Sequence, residues 1–149
     1  MGKDRLKVKI INKSGNADPE YSSENAAGMD IRAYIEKDII INPGEIKLIP
    51  TGIYIELPIG YEAQIRPRSG LALNHGITVL NTPGTIDADY RGEVRIILIN
   101  HGKKRYIIRN GDRICQMIVA KHEKIFWENV ISLNKTRRGK GGFGHTGND

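Results

Sequence analysis

The sequence predicts a mainly β domain on three observations: helical periodicity is nearly absent, short β-branched segments recur, and turn signals separate them at intervals typical of a sandwich or barrel. The strand candidates are 6–11, 39–41, 47–57, 61–66, 76–80, 93–100, 104–108 and 113–119. Between them stand Asn42-Pro43-Gly44, Pro58-Ile59-Gly60, Pro83-Gly84 and Asn110-Gly111-Asp112, residue types that favour turns or interrupt a ladder. Residues 69–74 are the one helical candidate, opened by Ser69 as a cap and stopped by Gly76. Ile96-Ile97-Leu98-Ile99 and Ile107-Ile108 are apolar on both faces, so another surface, such as a second subunit, is expected to cover one of them.

At 149 residues the chain is expected to form one domain, burying about two thirds of its unfolded surface. A single cysteine, Cys115, excludes an internal disulfide framework and fits a reducing compartment. No apolar run approaches the ~20 residues that cross a bilayer, and no h-region follows the N-terminal charges, so no membrane partner is expected. The expected setting is cytoplasmic, or nuclear in a eukaryote. A net charge of +6 and a pI near 9.5 favour polyanionic partners. The cations are not ranged along one element among several aromatics, as a nucleic-acid module would have them, so nucleic acid is not expected, while charge alone leaves a nucleotide and a plain soluble basic surface both open.

The densest cations, Lys135, Arg137, Arg138 and Lys140, run into a compositional break. Residues 138–147 hold five glycines, two cations, Phe143 and Thr146, which cannot build a core. Residues 1–133 therefore read as the β-rich domain and 134–149 either as a flexible lid that orders on a phosphorylated ligand or as a solvated basic end without function. Residues 139–144 match G-x-G-x-x-G, but the dinucleotide fingerprint needs a strand before it and a helix after it.

His75, His101, His122 and His145 lie far apart, without H-x-x-x-H or C-x-x-C spacing, so a protein-ligated zinc site is not expected. Cys115 sits in the apolar run 114–118, where a small buried thiol is the ordinary occupant. Three loops are richer in chemistry. Asp30, after Gly28, could face a metal-phosphate complex or cap an Asx turn. Arg68-Ser69-Gly70 sets a guanidinium, a hydroxyl and an unobstructed amide at a helix start, suited either to phosphate oxygens or to plain capping. In 81–93, alternation sends Asp87 and Asp89 to one face and Ala88 and Tyr90 to the other unless a bulge intervenes; one carboxylate could activate water beside a ring packed on a sugar, or the tyrosine could be core.

These three loops, with 111–118 and the glycine tail, occur in the order and spacing of the five motifs of the trimeric dUTP pyrophosphatases (dUTPases), which the chain resembles over 27–147. The resemblance implies a homotrimer of β-barrel or jelly-roll subunits whose active sites draw on all three chains, with dUTP as substrate and Mg²⁺ as cofactor. It implies that Asp87 is the general base for in-line attack of water on the α-phosphorus, giving dUMP for dTMP synthesis and limiting uracil in DNA. Tyr90 would pack on the deoxyribose; Asn81, Ile86 and the hairpin backbone would hold uracil. Arg68, Ser69 and Gly70 would grip the phosphates, and Asp30 and Gln116 would meet Mg²⁺ through water, Gln116 also lying against substrate. From the tail, Arg138 would reach the γ-phosphate, Phe143 would cover uracil, and Gly144 and Thr146 would hold the triphosphate. Lys140 and His145 depart from the family pattern, as does Cys115 for the commoner Ala. A dCTP deaminase-like enzyme of similar fold and a non-catalytic dUTP-binding β-protein are the alternatives; 67–72 followed by 86–90 argues against the former.

Overall fold

The computed structural model describes residues 5–143 and is mainly β. Its elements are β1 (Lys9–Asn12), β2 (Met29–Arg32), β3 (Ile39–Ile41), β4 (Ile46–Pro50), β5 (Ile53–Glu56), β6 (Tyr61–Arg66), α1 (Ser69–His75), β7 (Ile77–Val79), β8 (Gly84–Ile86), β9 (Arg95–Asn100), β10 (Tyr106–Ile108) and β11 (Arg113–Lys121). Every pairing is antiparallel. A four-stranded sheet runs β2-β11-β6-β8 and a three-stranded sheet β4-β9-β7, while β1 pairs β5 and β10 pairs β3.

One core joins the sheets: Ile31, Ala63, Ile65, Ile86 and Met117 from the larger, Ile49, Ile77, Val79, Ile96 and Leu98 from the smaller. Alternation explains most of this, since residues two apart along a strand share a face. A register shift between Arg113 and Cys115 breaks it, and there Ile114 and Cys115 both turn inward.

The stretch 47–57 is two strands, not one. The chain leaves the β4-β9-β7 sheet at Thr51-Gly52 and joins β1 as β5, a corner that needs the left-handed backbone of Gly52 (φ 68°). Two further strands, β2 and β8, fall where the sequence reads as loop; each is only three or four residues long, and long-range pairing with β11 and β6 makes them strands. After Lys121 no strand or helix follows among the described residues, and 123–140 lie exposed.

Candidate active site

The larger sheet presents one polar face. Asp30 on β2 pairs with Gln116 on β11, which pairs with Arg66 on β6, so the three side chains form one row across the sheet. Their neighbours in sequence, Ile31, Cys115, Met117 and Ile65, point into the core. The sequence's Gly28-Met29-Asp30 is thus a strand entry rather than a turn capped by Asp30.

Asp30 is clamped by two guanidinium groups. Its Oδ1 accepts from Arg68 Nε at 3.0 Å and its Oδ2 from Arg113 Nη1 at 3.1 Å. Arg68 Nη1 also donates to the Arg113 carbonyl at 3.2 Å, closing the loop between the helix start and β11. The side chains of Asp30 and Arg68 are 22% and 26% exposed, so the pair is shielded enough for geometry to matter; Arg113, at 49%, stays wetter. Arg113 lies inside a recognised motif, yet its contact with Asp30 follows from register and has no signature in spacing.

Arg68 is the extended residue before α1 (ψ 129°), and Gly76 ends the helix in the left-handed conformation. Ser69 does not cap: it is the first helical residue, and no side-chain capping hydrogen bond forms. Its hydroxyl is left for another partner. A side chain at Gly70 would meet open space, so the backbone there is approachable.

The third loop closes around a cavity of about 270 Å³, lined by the exposed Asn81, Asp87 and Tyr90, by Glu93, and by the buried Ile65 and Val79. The Asn81 amide folds to within 3.2 Å of where a Cβ on Gly84 would lie. Ile86 is buried at the end of β8; Asp87, the next residue, is exposed beside the cavity. The alternation expected for 87–90 does not occur, because β8 ends at Ile86 and a turn follows, with Tyr90 N–H bonded to the Asp87 carbonyl at 3.2 Å. Tyr90 is 42% exposed and is not a core residue.

Within one chain these parts stay apart. Ile86 pairs with Ala63, Asp87 continues away from there, and Arg68 follows Arg66 at the opposite end of β6, which separates Asp87 from Arg68 by roughly 15–20 Å of strand. The structure brings Asp30, Gln116 and Arg68 together, and separately Asn81, Ile86, Asp87 and Tyr90.

In the tail, Arg138 Nε donates to the Gly141 carbonyl at 2.9 Å, and Phe143 stands fully exposed. Gly144, His145 and Thr146 lie outside the described residues. Cys115 is fully buried, and burial pushes its thiol far up, the nearby Asp30 charge adding to the rise and Arg68 opposing it. It is an inert core group.

No group of three His, Cys, Asp or Glu suited to holding a metal occurs among the described residues. With both oxygens of Asp30 engaged by arginines, the donor set fits a hydrated cation carried on a ligand's phosphates, since each carboxylate oxygen keeps a lone pair for a water.

Three comparisons bear on this arrangement. A family model described as dUTPase matches residues 14–147. The deoxyuridine 5'-triphosphate nucleotidohydrolase of Rickettsia felis is 59% identical over 143 residues, 96% of this chain and 97% of that protein. The protein of the same name from Finegoldia magna is 58% identical over 142 residues, 95% and 99% of the two chains. The solved dUTPase of Staphylococcus bacteriophage 80alpha with dUPNHPP superposes with a TM-score of 0.82, covering 97% of this chain and 99% of that one; at 23% identity this shows a shared fold. With a family match over nearly all the described residues and relatives of similar length, the chain belongs to the dUTPase family.

Proposed function

We propose that this chain hydrolyses dUTP to dUMP and pyrophosphate, with Asp87 as general base. The observation that carries the reading is an exposed carboxylate lining a small cavity with an amide, Asn81, and a ring, Tyr90, in a chain of this family. Uracil enters against Asn81 and the β8 backbone near Ile86. The deoxyribose packs on Tyr90, where a 2′-hydroxyl would clash. Asp87 takes a proton from a water as its oxygen attacks the α-phosphorus in line, and the bond from the α-phosphorus to the bridging oxygen breaks to release pyrophosphate. Arg68, Ser69 and Gly70 hold the phosphates, while the Arg68–Asp30–Arg113 clamp keeps Arg68 aimed. Asp30 and Gln116 would hold a Mg²⁺ ion through water, and the ion would supply positive charge to offset that of the phosphates.

The site is shared between subunits of a homotrimer. Support comes from the separation of Asp87 from Arg68 along β6, too long for both to meet one α-phosphorus in a single chain. Further support comes from the segment after β11, where Ile125, Phe126, Trp127, Val130, Ile131 and Leu133 are all exposed. Apolar side chains in such a run call for a partner surface. The lid is 134–149, where Arg138 and Phe143 sit on a stretch of glycines that can close over a neighbour's substrate, Gly144 and Thr146 contributing to its grip.

A product assay across dUTP, dTTP, dCTP and UTP with magnesium tests base, sugar and reaction together. Pyrophosphate and dUMP from dUTP alone are expected. Ammonia from dCTP would make the chain a deaminase, and tight dUTP binding without turnover would make it a binding protein.

A further inference from the structure

The corner at Thr51-Gly52 turns two backbone amides toward one carboxylate. Glu93 Oε1 accepts from Thr51 N–H at 3.2 Å and from Gly52 N–H at 2.8 Å. The buried Thr51 donates its hydroxyl to the Val94 carbonyl, and Val94 N–H bonds the Ile53 carbonyl at 2.8 Å. Four hydrogen bonds thus pin residues 93–94 to the point where the chain changes sheets. A carboxylate seated on two amides is far stiffer than a solvated glutamate.

Tyr90 returns to this anchor. Its hydroxyl donates to the Glu93 carbonyl at 2.9 Å, and its ring passes so close over Gly92 that a Cβ there would collide with the phenol oxygen. Only glycine leaves room for it. The ring is 42% exposed and lies outside the core, so the hydroxyl contact and the close approach to Gly92 are what hold its angle. Arg91 adds to the turn, donating to the carbonyls of Ala88 and Tyr90 at 2.7 and 2.9 Å.

We propose that Glu93 is a positioning residue for sugar selection: by seating its carboxylate on the Thr51-Gly52 amides, it fixes the carbonyl that holds the Tyr90 hydroxyl and thereby the wall that rejects a 2′-hydroxyl. This rests on the cavity being the deoxyuridine pocket. A ring free to tilt admits ribose, whereas a ring held by a pinned carbonyl does not. Glu93 also lines this cavity, but with its Oε1 taken by the Thr51 and Gly52 amides it acts through Tyr90.

The test is kcat/KM for dUTP and UTP in the full chain and in Glu93→Ala, Glu93→Gln, Tyr90→Phe and the double variant Glu93→Ala/Tyr90→Phe. Glu93→Ala is expected to lower the dUTP-to-UTP ratio about tenfold, mostly by raising kcat/KM for UTP. Glu93→Gln keeps an oxygen that can accept both amides and should restore the ratio to within about threefold. The double variant should lose no more than the worse single one, as for two residues acting through one contact. An equal fall for both nucleotides in Glu93→Ala, with the ratio unchanged, overturns the proposal and leaves Glu93 a staple of the fold. If that variant does not fold, Tyr90→Phe decides: a ratio lowered at least about threefold supports the proposal, and an unchanged one overturns it. An unaltered chain that hydrolyses dUTP and UTP alike would overturn the pocket reading as well, which separates the two failures.

Discussion

Replacing Asp87 by Asn separates chemistry from folding more cleanly than any other change in this chain. The residue is exposed, follows the last residue of β8, and its carboxylate makes no hydrogen bond or ion pair among the described residues. The substitution keeps size and shape, so stability should stay within about 0.5 kcal/mol, as for an exposed site free of special contacts. The amide cannot take the proton of the attacking water. Loss of a positioned general base costs about 10²–10⁴ in turnover, or roughly 3–5 kcal/mol of barrier. Affinity for a non-hydrolysable dUTP analogue should change little, because in the proposed mechanism the triphosphate is gripped elsewhere, by Arg68 and the tail. Stopped-flow proton release or pyrophosphate detection gives kcat, calorimetry gives the affinity, and a thermal melt gives stability. Turnover within tenfold of the unaltered enzyme, with the melt unchanged, would refute the role of Asp87.

Asp30→Ala should cost about 1–3 kcal/mol, mostly from Arg68, which is left partly buried without its acceptor, and should raise KM more than it lowers melting cooperativity; denaturant titration and steady-state kinetics check both. Because burial raises the folded Cys115 value above its ordinary 9.0, its contribution to stability is whole below that pH and shrinks above it by up to about 1.4 kcal/mol per pH unit. Cys115→Ala should remove that part of the alkaline loss in urea titrations between pH 8 and about pH 11. If the chain assembles as the proposed trimer, ending it after Asn134 should leave that trimer intact while hydrolysis slows sharply, whereas ending it after Lys121 removes the apolar segment and should give monomers by sedimentation.

The sequence by itself determined the class of the fold and most of its strands, because β-branched alternation and turn residues are local signals. It also determined the chemistry on offer, since carboxylate, guanidinium, amide and ring stand in ordered motifs. Only the tertiary structure decided that Met29–Arg32 and Gly84–Ile86 are strands, for segments this short owe their form to partners distant along the chain. It alone decided that Ser69 starts the helix without capping it, that Arg113 shares Asp30 with Arg68, and that Glu93 reaches back to Thr51-Gly52. The Asp30–Arg113 and Glu93–Thr51-Gly52 contacts span more than forty residues, set by register and by the corner at Gly52. Periodicity read along one strand carries no information about which row of a neighbouring strand it will face.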